Sequence, residues 1–354
     1  MTRTRFAPWL VIPDEAKRRS GTAGSAALRR RSRIFALRAA SGMTALGLML
    51  FGTAALAQQA VDPQADLVEE LVVNARLPGP AWWKVSDADT TVYVLGVPGM
   101  TPGKLEVDES VFKRRVDGAN VLIMGQEAEA GVVGLVAFAI GGKRYFVSDR
   151  PMRQSLPPDL RARLEARLAV MKEKPEEFDE MKPAFAGFLV ANAGEGGDVS
   201  IHLGGVTGRI REIAKGKDIA RKPHIQNLPG YSLVGAVKTL GAAPQPLQAL
   251  CLDAGLRQAE SGQGGIKATA ERWARGEVRE VVTADRGFSR CLASTPGIAK
   301  ELRQGQADAV QAIAAALGKP GKAVAVIELR SLLAEGGVLE QLRARGFKVE
   351  TPGE

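Results

Sequence analysis

Apolar and polar positions follow different periods along this chain, and the changes of period divide it into strand-bearing ends and a helical middle. TVYVL at 91–95, NVLIM at 120–124 and RYFV at 144–147 are short runs of β-branched, aromatic and aliphatic residues, which predict strands. FKRR at 112–115 predicts a helix between the first two, so the opening reads β-α-β. Upstream, VDPQADLVEELVV carries apolar residues at helical spacing after Asp62-Pro63, and predicts a flexible or helical approach over 58–75. RLPGPAWWKV then breaks the chain with Pro-Gly-Pro ahead of Trp82 and Trp83.

From Leu156 to Arg221 the pattern is helical. PPDLRARLEARLAVMKEKPEEF opens on Pro-Pro-Asp and its helix ends before Pro175, and KPAFAGFLVANA continues as an apolar helix. GEGGDVSIHLGG interrupts as a loop with room for a short strand. Further helices are expected over 207–217, 246–260, 266–276 and 296–318, with glycine-rich joints at 261–265 and 318–321. Near the end, KAVAVIEL predicts a buried strand, LLAEGGVLEQLRARGF a helix closed by Gly346, and KVETP a final strand. No repeat of 20–50 residues is visible, which argues against a solenoid. The expected fold class is α/β: a central mixed sheet built from N- and C-terminal segments, with the helix-rich stretch of about 156–318 as a middle insertion or cap.

The first 57 residues change how composition is read. Arg29 to Arg33 supplies four arginines, Ala39 to Ala57 then runs without a charge, and Ala55-Leu56-Ala57 forms a small-x-small site before Gln58. That is the layout of a secretory signal peptide, preceded by an extension over 1–28; a single membrane-spanning helix is the competing reading. Of 48 Lys and Arg and 39 Asp and Glu, this leader holds ten and two, so the remainder has 38 against 37, a net charge of +1. The high isoelectric point therefore belongs to the leader, and nucleic acid is not an expected partner. The domain expectation is a leader over 1–57, a linker over 58–80 and one α/β domain over 81–354.

Candidate chemistry is sparse. The strand at 91–95 runs into Gly96-Val97-Pro98-Gly99, a place where sites are often built, yet these four residues offer no proton acceptor, metal ligand or nucleophile. Cys251 and Cys291 are the two cysteines; export makes them a disulfide candidate, and two independent buried thiols remain the alternative. His202 and His224, the two histidines, lie in loop-like settings and read as surface imidazoles. No Gly-x-Ser-x-Gly elbow occurs, and SGQGGIK at 261–267 lacks the ending and preceding strand of a phosphate loop. Of Trp82 and Trp83, one is expected in the core and the other over an edge.

The stretch ARLPGPAWWKVSDADTTVYVLGVPG resembles the N-terminal signature of the TraB/GumN family of bacterial exported proteins, relatives of the animal Tiki proteins. AVAVIELRSLLAEGGVLEQLRARGFKVETP is similar to that family's closing segment, and between the ends KPAF and WARGEV, with Trp273 and Gly276, extend the likeness. The resemblance implies a site of two Gly-x-x-His motifs, which in catalytic relatives is regarded as holding a divalent metal for hydrolysis. In this chain the first motif reads Gly96-Val97-Pro98-Gly99 and the second Ala325-Val326-Ile327-Glu328, so both histidines are replaced. The resulting expectation is an exported, periplasmic or secreted protein with a degenerate site. It would be non-catalytic, need no cofactor, and bind an envelope protein, peptide or small ligand, meeting the membrane only through an uncleaved signal segment. The alternative is a peptidase-like, metal-dependent hydrolase whose divalent ion sits on carboxylates, with Glu127, Glu129 and Glu328 as candidates.

The leader reading has a direct check: protein recovered from the cell envelope should have the intact mass of a chain beginning at or near Gln58. A retained leader would contradict it.

Overall fold

A computed structural model of the chain describes residues 61–75, 79–102, 105–129, 142–193, 205–262, 265–284 and 286–353. Eight strands are formed among them: β1 (Trp82–Ser86), β2 (Thr90–Val97), β3 (Val121–Met124), β4 (Ala128–Glu129), β5 (His224–Asn227), β6 (Tyr231–Ser232), β7 (Gly321–Glu328) and β8 (Lys348–Glu350). Six of them make one sheet in the order β5-β3-β7-β2-β1-β8, and β4 pairs with β6 separately. Strands β5, β3, β7 and β2 run parallel, while β1 is antiparallel to both β2 and β8.

Strand β7 lies between β3 and β2, which explains its unbroken apolar run: Ala323 to Ile327 are all buried, as a strand covered on both faces requires. Its alternate side chains feed two cores. Ala323, Ala325 and Ile327 join Val92, Val94 and Trp83 against Val310 and Ile313 of the helix Pro296–Leu317. Val324 and Val326 join Leu95, Leu122 and Met124 against Phe112, Ile210 and Trp273 on the other face. Two further apolar clusters lie within the helical middle, around Leu164, Leu168 and Leu256 and around Ala184, Leu240 and Phe288. There the helices Pro183–Asn192 and Gln245–Ser261 cross at glycines: a Cβ on Gly187 would fall 2.6 Å from the Cys251 carbonyl oxygen. Cys251 and Cys291 are bonded, tying the helix Gln245–Ser261 to the helix Gly287–Ala293.

The ends of the chain thus meet in one α/β sheet around a largely helical middle. Several elements differ from the sequence reading, each for a physical reason. RYFV is not a strand: Lys143–Phe146 is a helical turn and only Val147 bridges, to Met181, because three apolar residues without a longer alternation do not define a period. Residues 58–75 form no extended helix in their described part; Glu69–Leu71 is a single 3-10 turn. Val68, Leu71 and Val72 are buried against the sheet, so this stretch is packed on the domain rather than joined to it as a linker. LLAEGGVLEQLRARGF is split into the helices Leu329–Leu333 and Val338–Ala344, with Gly336 between them at a φ of +64°. A Cβ on Gly337 would also strike the Ala334 and Ser331 carbonyls. Strand β5 arises inside the helical middle, from a polar HIQN run that has no apolar signal, and it places His224 on an exposed sheet edge rather than in a loop. His202 lies outside the described residues.

Deleting residues 323–354 would remove the strand that joins β3 to β2. The truncated chain should be insoluble on expression, since an uncovered apolar face and open strand edges aggregate. A soluble, cooperatively unfolding product would show the C-terminal segment to be separate.

Candidate functional site

The parallel register fixes which loops meet at the carboxyl ends of the strands. Gly96 pairs with Ile327 and Val97 with Glu328, so the Pro98-Gly99 turn leaves β2 beside the point where β7 ends. Gly96 is a glycine for space: a Cβ there would lie 3.2 Å from the Trp83 ring and 3.3 Å from Leu332. Its carbonyl accepts a 2.6 Å hydrogen bond from Trp273 Nε1, which anchors the strand end to the helix Ile266–Ala274. Ala325 is buried within β7 and takes no part in the surface of the site.

Gly99 and Glu328 face each other, because a Cβ on Gly99 would sit 3.8 Å from Glu328 Cγ. Glu328 is the N-cap of the helix Leu329–Leu333 and accepts from the Arg330 amide at 3.1 Å and the Ser331 amide at 2.7 Å. Its Oε2 accepts a third hydrogen bond, 2.8 Å long, from Gln64 Nε2, which also reaches Ser331 Oγ at 2.8 Å. The main-chain carbonyl of Gln64 accepts from Arg286 Nη1 at 2.6 Å and from Arg330 Nη2 at 3.1 Å. Asp62 completes the group with a 3.2 Å ion pair to Arg286, the two side chains only 4% and 9% exposed.

Burial, and then the nearby Arg286 charge, lower the Arg330 guanidinium to about 10. Arg286 is also lowered by burial, with Asp62 and Glu328 opposing the shift. The phenol of Tyr231 is raised by burial and by the Glu328 charge. The centre is therefore a buried and a half-buried guanidinium, Arg286 and Arg330, balanced by two carboxylates, with the main chain of residues 64–65 threaded between them.

The remaining sequence candidates lie elsewhere. Glu127 Oε2 is held by Arg211 Nη2 at 2.6 Å, and Glu129 is exposed on β4. Among the described residues no group of three His, Cys, Asp or Glu is placed to hold a metal ion. The donors at the two motif positions do not fit the divalent ion that the resemblance implies: glycine offers no ligand at 99, and both Glu328 oxygens already accept protein hydrogen bonds. Trp83 is buried and donates to the Leu71 carbonyl at 3.1 Å, whereas Trp82 is half-buried against Phe112. Gly262 is the left-handed end of the helix Gln245–Ser261, and residues 263–264 of the SGQGGIK run lie outside the described residues.

Sequence reasoning missed Asp62, Gln64, Arg286 and Arg330. Asp62-Pro63 was legible only as a helix start, and no spacing rule links Gln64 to an arginine 222 positions away. A model of the TraB/PrgY/gumN family matches residues 81–351. No curated protein and no solved structure matches the chain.

Glu328→Ala should destabilise the fold by about 1–2 kcal/mol through loss of the helix cap and of the Gln64 acceptor, measured by denaturant unfolding. Glu328→Gln, which keeps an acceptor oxygen, should lose less. Equal and negligible losses would mean that the carboxylate does not hold this corner together.

Proposed function

The chain belongs to the TraB/PrgY/gumN family, and from the chemistry of its strand-end site we propose that it is an exported, non-catalytic binding or interaction protein of the cell envelope. One observation carries the reading: the two positions where the resemblance expects histidines meet across the cleft as Gly99 and Glu328, and the carboxylate is committed to capping a helix and holding Gln64. A bound water needs a metal or a free base beside it to become a nucleophile at neutral pH. Here the carboxylate oxygens accept three hydrogen bonds, and the guanidiniums beside them are donors only. Export is supported by the arginine-rich start, the uncharged run over 39–57 and the Ala57 boundary.

The competing hydrolase reading needs Glu127 and Glu129 to converge on Glu328, and Glu127 instead holds Arg211. Titration calorimetry of the purified protein with zinc and with manganese should show no stoichiometric binding. Tight binding of either ion that Glu328→Gln abolishes would replace the binding-protein reading with a carboxylate-based hydrolase.

A further inference from the structure

The cleft at the strand ends is filled by the chain itself. Residues 62–65 form a turn, with the Ala65 amide 3.2 Å from the Asp62 carbonyl and the Gln64 amide 2.8 Å from Asp62 Oδ1. Their hold on the domain is polar. Gln64 is bonded through its side chain to Glu328 and Ser331 and through its carbonyl to Arg286 and Arg330; Asp62 pairs with Arg286. The contacts at Val61 and Pro63 are long, 3.3 Å from Arg303 to the Val61 carbonyl and 3.4 Å from Gln306 to the Pro63 carbonyl, and on the other flank the Asp66 carbonyl accepts from the Glu335 amide at 3.0 Å. Val61 is 81% exposed, and apolar anchoring begins at Leu67, which packs on the core and bridges Ala334, and at Val68, whose amide bonds to the Leu333 carbonyl at 3.0 Å.

We propose that residues 61–66 are a ligand bound in cis, and that the cleft they fill is a binding site for a peptide segment carrying Asp-x-Gln in a turn. The inference rests on the binding-protein reading above and names the class of ligand. Lifting the segment strips the buried Arg286 of the Gln64 carbonyl and of Asp62, leaves the half-buried Arg330 its bond to the Val282 carbonyl, and takes the amide donor from Glu328 and Ser331. Buried groups stripped of partners are costly, so the open cleft is one that a replacement must fill. The complement is specific: a main-chain carbonyl for two guanidiniums, a primary amide that donates to a carboxylate and a hydroxyl, and a carboxylate two residues earlier for Arg286. The side chains doing the reading sit on the short helix Leu329–Leu333 and beside the helix Gly287–Ala293, which the Cys251–Cys291 bond fastens to the middle of the chain. The Arg286 side of the site is therefore braced by a covalent bond, which the segment itself lacks. A segment joined to the core only by polar contacts, upstream of its first apolar anchor, opens locally without global unfolding.

The test uses the full chain carrying Asp62→Ala and Gln64→Ala, which weakens the cis segment and leaves the cleft side chains intact. A fluorescein-labelled hexapeptide of sequence VDPQAD should bind this variant at least about tenfold more tightly than the wild-type chain, read by anisotropy, because an occupied site discounts a second ligand by its open fraction. Replacing the peptide's glutamine with alanine should abolish binding. No binding by a cooperatively folded variant, or binding that ignores either substitution, overturns the proposal. Mass spectrometry of the bound peptide separates the two readings: an intact peptide supports both, whereas a cleaved one keeps the ligand assignment and overturns the non-catalytic reading. If the variant does not fold, hydrogen exchange of the wild-type chain decides. The amides of Gln64 and Ala65 should exchange at least about a hundredfold faster than that of Val68, and equal protection overturns the proposal.

Discussion

The parallel pairing of β2 with β7 is the constraint on which the rest depends. It joins Thr90–Val97 to Gly321–Glu328 along eight matched residues, from segments more than two hundred positions apart. A parallel pair cannot be closed by a tight turn, so the intervening chain has to leave the sheet and return, and it does so as helices. Burial of β7 on both faces then obliges that chain to supply two covers: the helix Pro296–Leu317 on one side, and the helices Glu109–Val116 and Gly205–Lys215 on the other. The same register sets Val97 opposite Glu328, so the chemistry at the strand ends follows from the pairing that builds the core.

At those ends the charged side chains are tied into the structure. Burial, and after it the nearby Arg286 charge, lowers Arg330. The two guanidiniums are tolerated because Asp62, Glu328 and the carbonyls of residues 64–65 surround them. The arrangement is reciprocal. Without the arginines the Gln64 carbonyl and Asp62 lose their partners, and without that segment the buried Arg286 is left under-compensated.

Legibility in the sequence tracks the range of the interaction. Strands β2, β3 and β7 were readable because burial on two faces writes a continuous apolar run, and Gly346 closed a helix where a positive φ, here +89°, is needed. Strand β1 was obscured by the Pro-Gly-Pro break and the tryptophan pair, although its alternation is clear once it lies between β2 and β8. Strand β5 is mostly polar because it lies at the sheet edge, and Tyr145, Phe146 and Val147 are apolar because their turn packs on the helical middle, where Phe146 meets Phe185 with ring centroids 4.5 Å apart. In the site, Gly99 and Glu328 were found through a resemblance that covers both strand ends. Gln64 and the arginines were not, since a contact between a main-chain carbonyl and a distant guanidinium leaves no pattern in either segment.

The two altered motif positions are not equivalent. At Gly99 nothing in the surroundings forbids a side chain: the nearest atom to a Cβ is 3.8 Å away, an ordinary contact, and its backbone is not left-handed. Position 328 is bound into its surroundings by three hydrogen bonds, two of them the cap of the helix that carries Arg330 and Ser331. An imidazole there would have to satisfy the same amides and the Gln64 donor, and its single acceptor nitrogen cannot do so. The first position is therefore open and the second is recommitted. A histidine pair at these two positions would need more than a side chain at Gly99, because the hydrogen bonds of Glu328 would have to be replaced before such a pair could form.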